Sequence, residues 1–314
     1  MSTPTVLVST WSDGVFVLEG DTRTHELGAT AVRGLASDGR GGALAIVDGH
    51  TVRRRGGDGT WSTLATVSAE LSCCVAVGEF VYLGTEDARL LRLAANGALE
   101  PLRGFDATPG RERWYAGQAV VDGRVLGPPL GIRSLTATAG GAVLLASIHV
   151  GGIARSTDGG ATWQPTIDVE SDVHEVRAHP TRPELVVAAA AVGLCISRDA
   201  GATWSVEHDG LHGTHSTAVG FAGDAVLLAA SESHFSPQGA IYSRALDEQS
   251  RLVRLGGGLP EWLDGIVDTA CIAEHGAALT IVDQGGSLYT STDAGRHWSR
   301  RASDLPGASA VLLV

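Results

Sequence analysis

The chain reads as an all-β protein: a seven-bladed β-propeller of four-stranded antiparallel blades, closed by pairing the C-terminal strand with the N-terminal strands. Three observations predict this. A turn segment, Ser156-Thr-Asp158-Gly-Gly160-Ala-Thr-Trp163, returns as Ser197-Arg-Asp199-Ala-Gly201-Ala-Thr-Trp204 and as Ser291-Thr-Asp293-Ala-Gly295-Arg-His-Trp298. Trp163 and Trp204 lie 41 residues apart, and Trp204 and Trp298 lie 94 apart, two steps of about 47; a period of that size marks an array of equal structural units. Short apolar runs bounded by Gly and Asp turns fill the chain, which has 42 glycines and 44% hydrophobic residues but only 5% aromatic ones, the composition of short strands joined by tight turns. Finally, head and tail each carry an incomplete unit.

The units follow in order. Val32–Ser37, Ala43–Val47, Thr51–Arg55 and Trp61–Thr66 make blade one. Ser72–Val77, Phe80–Thr85 and Arg89–Leu93 begin blade two, which then runs into an irregular insertion at about 94–131. That insertion holds Pro101, Pro109, Pro128, Pro129, an Arg-Glu-Arg-Trp-Tyr stretch at 111–115 and a hairpin-like Ala119–Leu126 around Asp122-Gly123. Blade three is Arg133–Thr138, Ala142–Ser147, Ile153–Ser156 and the segment after Trp163. Blade four is His174–Ala178, Glu184–Ala189, Gly193–Ser197 and Ser205–Glu207. Blade five is Thr217–Phe221, Ala225–Ala230, Ala240–Arg244 and Arg251–Leu255. Blade six is Ile266–Ala273, Ala277–Val282, Ser287–Ser291 and Ser299–Ala302. Val6–Ser9, Val15–Leu18 and Thr24–Leu27 lack an innermost strand, and Ala308–Val314 is a strand without a unit. Joining them completes a seventh blade and removes open sheet edges. A ring of six blades is the alternative, because blade two is irregular.

In the recurring segment, Ser and Asp side chains accept backbone N–H bonds in a tight turn, glycine takes positive φ, and Trp covers apolar area between sheets. These residues resemble the Asp-box, or BNR, repeat S-x-D-x-G-x-x-W of sialidase-like, sortilin-like and photosystem II assembly factor-like propellers. The resemblance implies that Asp158, Asp199 and Asp293 sit between third and fourth strands, away from the ligand face, as scaffold rather than catalyst. Sialidases also carry a Phe/Tyr-Arg-Ile/Leu-Pro signature and three arginines for the substrate carboxylate. This chain has no such signature, and only Arg33 and Arg133 open inner strands.

A formal net charge of −12 repels a phosphate backbone, so nucleic acid is not an expected partner. No basic amphipathic helix or spanning apolar run points to a membrane, and no leader pattern opens the chain. The expected location is the cytoplasm, with Cys73, Cys74, Cys195 and Cys271 remaining thiols. A closed ring is complete in itself, so the expected state is a monomer.

A propeller's ligand face collects the starts of the inner strands and the loops between second and third strands. Those positions supply four histidines from three consecutive blades: His149, His174, His215 and His234. Convergent imidazoles suit a divalent transition metal ion, the candidate cofactor; without metal, His174 and His215, with Glu232, are candidate general acid–base groups near neutral pH. Arg33 and Arg133, with Arg111 and Arg113, are candidates to hold a carboxylate or phosphate. Trp11, Trp114, Tyr115, Phe235 and Trp262 are candidates to wall an apolar or sugar-like small-molecule ligand. No His-Glu-x-x-His, Gly-x-Ser-x-Gly or phosphate loop is present. The sequence therefore supports a small-molecule-binding propeller with a His-lined axial site, read as an enzyme. The alternatives are a non-catalytic interaction or assembly propeller, and a BNR-type glycoside hydrolase drawing on Glu86, Glu232, Asp264 or Asp268.

Overall fold

The computed structural model describes residues 4–117, 119–121, 124–126, 130–246 and 250–314. Pro128, Pro129 and the Asp122-Gly123 turn lie outside them. Seven sheets with four strands along their main path are arranged in a ring, so the six-bladed alternative is excluded. The second strands, such as Ala43–Val47 and Val186–Ala190, are buried at every position. Each is covered by a neighbouring blade on both faces, and so reads as a continuous apolar run rather than an alternating one. Outer strands such as Ser299–Ala302 face water and are polar.

The ring closes through the chain ends. Ala308–Leu313 pairs antiparallel with Val6–Thr10, matching Val6 with Leu313, Leu7 with Leu312 and Val8 with Val311. It forms the inner strand beside Val6–Thr10, Val15–Glu19 and Thr22–Glu26. Each of the seven inner strands touches the inner strand of the blade on either side. Blade two also has its fourth strand, Leu99–Pro101, paired to Leu90–Ala94. The insertion thus begins after Pro101, later than the sequence suggests. Pro101 is tolerated there because the outermost strand has no further neighbour to receive its missing N–H.

The insertion opens with a short helix, Arg103–Asp106, and packs on the turn of blade three. Phe105, fully buried, meets Trp163 edge-on at 5.2 Å and Trp114 at 5.5 Å. Gly104 is required there, since a Cβ would fall 1.8 Å from the carbonyl oxygen of Ala161.

The three repeated turns share one bonding pattern. The Ser156 hydroxyl donates to Asp158 Oδ1 at 2.8 Å and accepts the Gly160 N–H at 2.9 Å. Asp158 accepts the Thr162 N–H at 2.9 Å and its hydroxyl at 2.6 Å. Ser197, Asp199 and Thr203 repeat this, as do Ser291 and Asp293 with His297 in place of threonine. The turn needs two successive left-handed residues. Gly201 and Gly295 take the second position at φ 79° and 84°, while Ala200 and Ala294 hold the first at 57° and 58°. Alanine pays steric strain in that region, which the aspartate network offsets.

These bonds favour the carboxylate. Donation from Thr162, then from Ser156, holds Asp158 down at about 2. At Asp199 burial works the other way but is outweighed by Thr203 and Ser197, again giving about 2. A depressed folded-state pKa adds stability that is complete above the unfolded value of about 3.9 and is lost as pH falls toward 2. Chemical denaturation between pH 5 and pH 2 is therefore expected to show a shallower loss of stability in Asp158→Asn/Asp199→Asn than in the parent. Deleting residues 308–314 is expected to abolish the cooperative thermal transition followed by circular dichroism.

Candidate functional site

Six of the seven inner strands carry a β-bulge at their start. The register skips Ser309, Arg33, Ser72, Arg133, His174 and Thr217 in successive blades from the closing one to blade five. A bulge leaves its residue unpaired and re-aims the side chain. Four of these side chains donate to a carbonyl of the next blade, at the start of its inner strand or, for Val267, in the segment leading to it. Ser309 reaches Val32 O; Ser72 reaches Ile132 O at 2.6 Å; His174 Nδ1 reaches Ser216 O at 2.7 Å; Thr217 reaches Val267 O at 2.5 Å. Arg33 instead makes ion pairs to blade two, with Glu70 at 2.6 Å and Glu86 at 3.6 Å. Arg133 makes no hydrogen bond or ion pair among the described residues. Its blade is joined to blade four by other means, the Val176 N–H to Ser134 Oγ at 2.8 Å and the Ala178 N–H to Thr136 Oγ1 at 3.1 Å.

His174 and His215 come together as expected from the sequence. Their rings meet edge-on with centroids 4.8 Å apart, and His215 lies 6.1 Å from His234. A carbonyl only accepts, so the His174 proton must sit on Nδ1, leaving Nε2 as an acceptor. That Nε2 stands 3.7 Å from Asp172 Oδ2. Asp172 Oδ1 and His215 Nε2 are both shielded from solvent and have no hydrogen-bond partner. Burial lowers His174 to about 4, helped by the Arg133 charge, and burial followed by His174 and His234 lowers His215 to about 4. Both rings are therefore neutral at pH 7. In that form the rings are weak bases, which bears on the expectation of a general base near neutrality.

His149 is buried at the end of its strand, and a Cβ on Gly117 of the insertion would approach its Nε2 to 2.8 Å. His174, His215 and His234 form a row of ring contacts along one face. No group of three His, Cys, Asp or Glu among the described residues is placed to hold a metal ion.

Trp11, Tyr115 and Phe235 are exposed by 52%, 47% and 60% in loops of this face. Tyr115 bridges to Val150 and its hydroxyl lies 3.5 Å from Glu170. Trp114 is corrected: it is buried against Phe105, with Arg111 stacked 4.8 Å over it, and belongs to the core. Glu232 is exposed, and its charge acts on His212. Trp262 packs edge-on against His212, with Arg254 stacked over it. Glu86 is raised by burial, with Arg33 and Arg133 opposing. Sequence reasoning missed Asp172, whose left-handed φ of 47° has no signature of its own. It also missed Arg177, which pairs with Glu175 at 2.9 Å and Glu274 at 3.1 Å and bonds Ile272 O at 2.7 Å. Arg177 thus ties blade four to blade six.

No protein-family model matches the chain, and no curated protein matches it. Among solved structures, the chain is similar to the GH74 xyloglucanase from Xanthomonas campestris, with a TM-score of 0.56 and 19% identity over 86% of this chain and 45% of that one. It thus spans less than half of that enzyme. It is also similar to the computationally designed Ika8 protein (TM-score 0.60, 14% identity, 98% and 86% covered) and to YCF48 bound to D1 peptide (TM-score 0.60, 12% identity, 92% and 93% covered). At these identities the likeness establishes the β-propeller fold. Among the described residues, no helix is long and apolar enough to cross a membrane.

The bulge bonds make His174 a stitching residue. His174→Ser, the residue that performs this task in blade two, is expected to stay within about 0.5 kcal/mol of the parent, whereas His174→Ala loses about 1–2 kcal/mol by stranding a buried carbonyl. Urea unfolding of the two variants measures the difference.

Proposed function

We propose that the protein is an Asp-box propeller that binds a small polar molecule at its axial face, between the His174–His215–His234 row and Asp172. The observation that carries this reading is the pair of unpartnered polar atoms, His215 Nε2 and Asp172 Oδ1, shielded from solvent in the same cluster. Unsatisfied buried polar groups cost stability, and a native fold keeps them where a ligand or water supplies the missing bond. The three repeated Ser/Asp/Trp turns support the Asp-box assignment. Neutral, weakly basic imidazoles favour recognition over acid–base catalysis. Exposed Trp11, Tyr115 and Phe235 around the face suit the flat sides of a sugar or an organic ring. Four free cysteines support a reducing compartment such as the cytoplasm.

A thermal-shift screen of neutral sugars, xyloglucan oligosaccharides, short peptides and small organic acids tests the reading. Compounds that raise the melting temperature are expected to lose that effect in His215→Ala and in Asp172→Ala. Shifts that persist unchanged in both variants place binding elsewhere and contradict it. Elemental analysis of protein prepared without an affinity tag separates a metal occupant: stoichiometric metal lost in His174→Ser would replace the organic ligand with an ion.

A further inference from the structure

Resting on that reading of the axial site, we infer that its ligand is a small carboxylic acid bearing a hydroxyl or amino donor, anchored by Arg133. Arg133 occupies a bulge position whose counterparts all have a partner: serine, threonine and histidine stitch to the next blade, and Arg33 pairs with Glu70 and Glu86. The structural duty of its own position is discharged by Ser134 and Thr136. Its half-buried guanidinium makes no hydrogen bond or ion pair among the described residues and is therefore available to an anion. Its fork of N–H groups matches a carboxylate in two parallel bonds.

The surroundings specify more than an anion. Arg133 is near enough to His174 to lower its basicity, and Asp172 stands on the Nε2 of that ring. A ligand along His174 therefore meets a free cation and an aspartate oxygen that lacks a donor. Neutral His174 Nε2 also accepts. A bare inorganic anion satisfies Arg133 but confronts these acceptors with lone pairs alone. A molecule with a carboxylate and a nearby O–H or N–H satisfies both. Glu86 beside Arg133, and Asp172 and Asp268 beside His215, disfavour a dianion and favour a singly charged acid.

Saturation-transfer NMR with glycolate, L-lactate, D-gluconate, D-glucuronate and glycine, each beside its neutral counterpart, tests this, with inorganic phosphate as the plain-anion control. At least one of these acids is expected to bind saturably, its neutral counterpart and phosphate at least about 10-fold more weakly. Arg133→Met should lose about 10-fold or more in affinity, Arg133→Lys should recover part of it, and the surface variant Arg40→Met should match the parent. Because Arg133 makes no hydrogen bond or ion pair among the described residues, Arg133→Met should also keep the parental melting temperature. Asp172→Ala should weaken the hydroxy acids while leaving acetate unaffected. Undiminished acid binding in Arg133→Met, or binding confined to neutral counterparts or phosphate, overturns the inference while leaving the axial site standing. Loss of every axial ligand, charged and neutral, in the parent protein overturns both.

Discussion

The hydrogen bond from a bulged residue to a carbonyl at or just before the start of the next blade's inner strand organises this molecule. It recurs because a seven-fold ring must join seven separate sheets near its axis, where no ladder connects them. A bulge frees one side chain per blade from the sheet's own pairing and points it at the neighbour. Ser309, Ser72, His174 and Thr217 make the bond directly. The same geometry brings every bulge side chain to one end of the axis, so the device that holds the ring together also concentrates polar groups there.

Scaffold and site occupy opposite ends of the blades. The Ser/Asp/Trp turns link third and fourth strands, and their bonds are satisfied within the turn. Near the starts of the inner strands, Asp172 Oδ1 and His215 Nε2 are buried without a hydrogen-bond partner, and it is there that the proposed ligand site lies. An open cavity of about 320 Å³ between the closing blade and blade six is lined by Leu18, Leu279, Leu288, Trp298 and Leu313 among others and lies away from the histidine row.

Strand identity and ring closure were legible in the sequence because both depend on apolar content and turn residues, which act locally. Blade one was read to the residue, and pairing of tail with head followed from counting strands. The gathering of His174, His215 and His234 was legible because position within a blade predicts which end of the axis a residue reaches. The environment of those residues was not. Whether an imidazole is basic depends on burial and on Arg133 in another blade, and whether Trp114 is a ligand wall or core depends on Phe105 folding back over Trp163. Leu99–Pro101 was hidden because a proline in a three-residue strand carries almost no period. Arg177 was hidden because its partners Glu175 and Glu274 lie on different blades.

The protonation state of one ring reports most directly on the bulge bond. Long-range 15N–1H correlation spectra of His174 are predicted to show the proton on Nδ1 from pH 8 to pH 5, with no titration over that range. A neutral ring with its proton on Nε2 would contradict the account, because the carbonyl of Ser216 would then lack its donor.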